Sequence, residues 1–138
     1  MGRKIFVDTS YILALFNTAD EFHEQAIELK RLTSYPYKVI ITEAILLEIG
    51  NALSKQNLRK RCSAFIRGFY ETENIEVVPI TTTLINEGLE FFDKRHDKEW
   101  GLIDCISFVV MKRYGIKDAL AADDHFVQAG FKALLLED

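Results

Sequence analysis

Four carboxylates stand in or at the end of apolar runs. Asp8 closes Lys4-Ile5-Phe6-Val7, and Glu48 interrupts Ala44-Ile45-Leu46-Leu47-Glu48-Ile49. Asp104 lies inside Leu102-Ile103-Asp104-Cys105-Ile106, and Asp123 follows Ala119-Leu120-Ala121-Ala122. Four acids placed out of easy reach of water need a common partner, because unpaired buried charge is very costly. A divalent cation held by hard oxygen ligands, Mg2+ or Mn2+, meets that need. Such an ion acidifies water and offsets charge on a phosphoryl oxygen, which points to metal-assisted hydrolysis. No GxSxG elbow, Walker A loop or GxGxxG is present, so serine hydrolysis, nucleoside triphosphate binding and dinucleotide redox chemistry lack their usual support.

Each acid also has a plainer reading. Asp8, followed by Thr9-Ser10 and the apolar run Tyr11–Phe16, suits an N-cap. Glu48 has the small residues Ala44 and Ala52 one turn away on either side, which leaves room around its carboxylate. Glu43 is five residues earlier, roughly 140° away on the helical wheel, so it belongs to the first turn and to solvent rather than to the same site. Asp104 falls in a first helical turn, where the dipole favours it, and Ser107 at i+3 could orient the carboxylate or a water. Of Asp123 and Asp124, one is expected to face a cleft and the other to cap a short helix; spacing alone does not say which. His125, with no evident carboxylate–histidine constellation around it, reads as a packing or surface residue.

The elements that must hold these acids alternate along the chain. Strand-like runs occur at Lys4–Val7, Lys38–Ile41, Ile75–Val78, Asp118–Leu120 and Lys132–Leu135, bounded by turn signals such as Tyr35-Pro36, Glu73-Asn74, Gly115 and Gly130. Helical patterns fill the intervals: Tyr11–Phe16, Glu21–Leu32, Glu43–Lys55, Asn57–Thr72, Thr82–Arg95, Leu102–Tyr114 and a short Asp124–Ala129. Short apolar strands alternating with helices predict right-handed parallel βαβ units, with a sheet of four to five strands covered on both faces. Ligands of such sheets bind beyond the carboxyl ends of the strands, where Asp8 and Asp123 fall.

The 138 residues suit one domain over 1–138, and 49% apolar with 28% charged residues is ordinary for a globular protein. No apolar run approaches the ~18–20 residues needed to cross a bilayer. Asp8 breaks the first hydrophobic run too early for a signal peptide, so a cytoplasmic location is expected. Cys62 and Cys105 read as buried reduced thiols, and the scattered His23, His96 and His125 make no zinc motif. The net charge of −4 argues against nucleic acid until the four carboxylates are set aside, which brings it to zero. Residues 51–70 hold Lys55, Arg59, Lys60, Arg61 and Arg67 and no acid; this is either a solvated helix face or a surface for a phosphodiester backbone.

Four segments in order resemble the PIN domains, specifically the VapC-type toxin ribonucleases. They are Val7-Asp8-Thr9-Ser10, Leu46–Leu53 around Glu48, Asp97–Phe108 around Asp104, and Ala119–Phe126 around Asp123, with Gln128-Ala129-Gly130-Phe131 fitting the family's ending. The resemblance implies a PIN-like, Rossmann-like α/β/α sandwich and an acidic cluster of Asp8, Glu48, Asp104 and Asp123 around Mg2+ or Mn2+. It selects Asp123 over Asp124, sets Ser10 and Ser107 beside the site, and implies endonucleolytic RNA cleavage. It also implies a homodimer and a VapB-like antitoxin that blocks the site; apolar helical surface such as Tyr11–Phe16 could serve either contact. Two positions depart from the pattern: Ile103 replaces the common Thr or Ser, and Ala121-Ala122 replaces Thr-Phe.

The expected activity is therefore a metal-dependent endoribonuclease in which water attacks a phosphodiester, with Arg59, Lys60, Arg61 and Arg67 along the RNA. A non-catalytic RNA-binding or scaffolding PIN domain is the alternative, against which the retention of all four acids counts. A haloacid-dehalogenase-like phosphatase would want Asp at position 10, where this chain has Ser.

Overall fold

Ile5, Phe6 and Val7 are successive residues, so they point to opposite faces of a strand, yet all three are at most 1% exposed. Both faces of the sheet are therefore covered, as the continuous apolar runs predict. The computed structural model describes residues 3–137. Its sheet has five strands, all parallel: β1 (Lys4–Val7), β2 (Lys38–Thr42), β3 (Ile75–Val78), β4 (Asp118–Leu120) and β5 (Lys132–Ala133). Their order is β3-β2-β1-β4-β5. The last strand is shorter than its apolar run suggests, because Leu134–Leu136 turn into a 3-10 helix.

Among the described residues seven α-helices complete the layers: α1 (Thr9–Phe16), α2 (His23–Leu29), α3 (Glu43–Ala52), α4 (Arg59–Glu71), α5 (Thr82–Lys94), α6 (Leu102–Tyr114) and α7 (Asp124–Gln128). The caps follow the sequence. Thr42 and Thr81 each accept a hydrogen bond from the backbone N–H three residues on, and Gly115 takes the left-handed conformation that ends α6. The expected helix over 21–32 is instead α2 followed by a 3-10 turn at Lys30–Thr33. Of the apolar run Tyr11–Phe16 in α1, Tyr11, Ile12 and Ala14 are buried in the core, while Leu13, Leu15 and Phe16 stay partly exposed.

The strand order decides where a site can form. From β1 the chain runs outward through β2 and β3, then returns past β1 to β4 and β5. The direction of winding thus reverses between β1 and β4, which pair through Val7 and Leu120. At such a switch point the connections diverge and a crevice opens beyond the carboxyl ends. Cys62 and Cys105 are buried free thiols.

Candidate active site

Asp8 leaves β1 at the crevice and is only 5% exposed. Its backbone N–H continues the ladder to the Leu120 carbonyl (3.1 Å). Its side chain caps α1: Oδ2 accepts from the Ser10 N–H (3.1 Å) and the Ser10 hydroxyl (2.6 Å). Among the described residues no donor reaches Oδ1. The capping and functional readings of Asp8 are therefore compatible, with one oxygen serving the helix and the other free. Ser10 Oγ also accepts from the Ala122 N–H (2.9 Å), tying α1 to the loop that carries Asp123.

Asp104 sits in the first turn of α6, and its Oδ2 accepts from the Gly101 N–H (3.3 Å). Asp123 caps α7 through a bond from the His125 N–H to its Oδ1 (2.9 Å). The expected division of labour with Asp124 does not hold: Asp123 both caps the helix and joins the cluster, and Asp124 is exposed. His125 likewise corrects its sequence reading. Its Nδ1 is 2.9 Å from Asp104 Oδ2 and 3.4 Å from Asp123 Oδ1. Asp104, Asp123 and His125 each offer a ligand atom, all within 4.8 Å of one another. The constellation was hidden because α6 and α7 are adjacent only in space.

Glu48, half-buried on α3, accepts a short hydrogen bond from the buried Thr9 hydroxyl, a contact the sequence reading missed. Thr9 was legible only as a neighbour of Asp8. Glu43 is not simply solvated; it accepts from Tyr70 Oη (2.6 Å) and the Ile80 N–H (2.9 Å), and these bonds hold its carboxyl below the ordinary range. Ser107 does not orient Asp104. Its hydroxyl is buried with no hydrogen-bond partner among the described residues.

Electrostatics link the four acids. Burial raises the Asp8 pKa to about 7 against the two Ser10 hydrogen bonds, and the charges of Asp104 and Glu48 push the same way. Burial also raises Asp104; its bond to His125 opposes this, and the Asp123 charge adds to it. For His125, burial disfavours the charged ring, but the bond to Asp104 and the charges of Asp123, Asp104 and Asp124 outweigh it and raise the pKa. Only Asp8 is deeply buried; the side chains of Asp104 and Asp123 are 18% and 35% exposed, so the cluster opens to solvent. Carboxylates that raise one another's pKa, with a free oxygen on the buried member, are a donor set suited to a hard divalent cation.

Packing behind the cluster is aromatic. Phe126, 0% exposed, tilts against Phe6 (centroids 6.2 Å) and meets Phe108 edge-on (5.1 Å). Trp100 donates to Gln128 Oε1 (2.9 Å), joining the approach to α6 with the end of α7. A one-turn helix is marginal alone. This packing holds Asp123 and His125 in place.

The basic residues follow α4. Arg59, Lys60 and Arg67 border a groove of about 810 Å³ against α3 that also includes Asn51, one turn beyond Glu48. Arg61 does not border it; its guanidinium lies over the Phe16 ring, 5.1 Å from the centroid. Among the described residues no helix is long and apolar enough to cross a membrane.

A family model described as the PIN domain matches residues 5–132. The 23S rRNA-specific endonuclease VapC20 of Mycobacterium tuberculosis is 31% identical over 127 residues, 92% of this chain and 95% of that protein. A VapC ribonuclease of Aquifex aeolicus is 25% identical over 117 residues, 85% of this chain and 80% of its own length. The crystal structure of M. tuberculosis VapC20, described as a sarcin-ricin loop cleaving toxin, superposes with a TM-score of 0.81 at 28% identity and covers 94% of this chain and 97% of that one. The Rickettsia felis VapBC2 structure has the same fold at 12% identity, with a TM-score of 0.64 and coverage of 91% and 92%.

Proposed function

The chain belongs to the PIN domain family, and from that premise we propose that it is a metal-dependent endoribonuclease, the toxin of a toxin–antitoxin pair. The observation that carries this reading is the convergence at the β1/β4 switch point of Asp8, Asp104 and Asp123, with Glu48 coupled to Asp8 by charge. Asp8, Asp104 and Asp123 would hold Mg2+ or Mn2+, with Glu48 as a further ligand, directly or through water. When bound, the cation would acidify water and offset negative charge on the scissile phosphate. Ser10 holds the Asp8 carboxylate and Thr9 holds that of Glu48, so both acids would meet a cation with little reorganisation. Alternatively Glu48, half-buried on α3, would take a proton from the attacking water.

The groove between α3 and α4 is the reading for the RNA path: Arg59, Lys60 and Arg67 would meet phosphates that continue from the Glu48 end of the cleft. Ribosomal RNA of the large subunit is the substrate to try first, by similarity to a relative named for 23S rRNA cleavage. A cytoplasmic location, a homodimer and an antitoxin protein that covers the acidic cleft complete the proposal.

The test is cleavage of purified ribosomes and of a structured-RNA pool with Mg2+ or Mn2+ and with EDTA, using the wild type, Asp8→Asn and Asp104→Asn. Discrete metal-dependent fragments absent from both variants are expected. Fragments that persist in both would overturn the assignment. RNA binding with no cleavage under any condition would favour the scaffolding alternative.

A further inference from the structure

We propose that His125 is itself a ligand of the cation and that its ring nitrogen tilts the site toward Mn2+ over Mg2+. This rests on the reading of the acidic cluster as a metal site. Two donors on adjacent corners of an octahedron stand about 3 Å apart when each bond is about 2.1 Å. His125 Nδ1 lies 2.9 Å from Asp104 Oδ2 and 3.4 Å from Asp123 Oδ1, close to the edge length of such a polyhedron, and the three residues' ligand atoms all lie within 4.8 Å of one another. The three donors come from two elements that meet only in the folded chain, and Nδ1 points between the acids rather than into solvent.

The ring is also held there. The His125 N–H is bound by Asp123, and the next residue, Phe126, is fully buried against Phe6 and Phe108. A ligand anchored in this way loses little freedom on binding. Both ions suit carboxylate and water oxygens, but Mn2+ belongs to the transition series, at its weak end, and gains modestly from an imidazole nitrogen where Mg2+ gains almost nothing. One nitrogen among carboxylates should therefore raise Mn2+ affinity while leaving Mg2+ almost unaffected.

Mn2+ titrated into the metal-free full chain and followed by electron paramagnetic resonance gives its affinity, and competition gives that of Mg2+. Spin-echo modulation reads directly whether a 14N nucleus is coordinated. His125→Asn sets an oxygen near the same point. The wild type is expected to show coordinated 14N, and the variant to lose it, with the Mn2+:Mg2+ affinity ratio falling about tenfold. Mn2+ bound to the wild type without 14N coupling would overturn this inference alone and leave His125 as a positioning residue for Asp104. No Mn2+ binding at all would overturn both it and the metal reading beneath it. The wild-type spectrum decides even if the variant does not fold.

Discussion

A carboxyl whose pKa stands near 7 inside a protein is held against the cost of its own charge, and Asp8 is in that position. Its folded pKa is above its unfolded value, so the metal-free folded state binds the extra proton. The associated stability is present at acid pH and is lost as pH rises from about 4 through about 7. At pH 8 the ionised Asp8 costs on the order of 2–4 kcal/mol. Asp8→Asn should therefore stabilise the metal-free protein at pH 8 by an amount of that order and change little at pH 4, while removing a ligand. Urea denaturation in EDTA at both pH values checks this; a variant no more stable than wild type at pH 8 would refute it. Asp8 is thus a residue whose cost in the empty fold a bound cation would offset. Thr9 and Ser10 show how the site's support is encoded beside its ligand: one hydroxyl serves Glu48, the other Asp8 and the backbone of Ala122.

Among the elements, α6 and α7 carry three of the cluster's side chains, so their seating sets the site's geometry. The α5–α6 contact is tight at Gly88, where an added Cβ would stand 2.7 Å from Ile106 Cγ1. Gly68 in α4 is the opposite case, with nothing within 4 Å of a Cβ. The two glycines make a matched test. Gly88→Ala should destabilise by about 1–2 kcal/mol, because overpacking outweighs the helix-propensity gain. Gly68→Ala should stabilise by about 0.5–1 kcal/mol from that gain alone. Equal effects in chemical denaturation would show that α5 and α6 do not meet as closely as described. Gly88→Ala should also slow cleavage, since Ile106 shares a helix with Asp104.

For the whole molecule, a net charge of −4 coexists with a stretch, residues 51–70, that holds five basic residues and no acid, and under the proposed function that stretch would let an acidic protein approach RNA. Most of the binding free energy should come from phosphate contacts along α4 and fall with salt. With cleavage blocked by Asp8→Asn, replacing Arg59 and Lys60 by Ala should weaken RNA binding and flatten the plot of log affinity against log salt by about two units, roughly one per lost phosphate contact. An unchanged slope in fluorescence anisotropy would remove α4 from the RNA path. The fold class, nearly every element and the candidate acids were legible in the sequence, because hydrophobic periodicity and capping are local and Asp8, Glu48, Asp104 and Asp123 each interrupt or end a local apolar pattern. What the sequence could not contain was adjacency. Only the tertiary structure decided that β4 lies beside β1, that Thr9 reaches Glu48, and that His125 stands within reach of both Asp104 and Asp123. The physical reason is that a side chain's environment is set by elements distant in the chain, and strand order, which brings those elements together, leaves no periodic trace in any one of them.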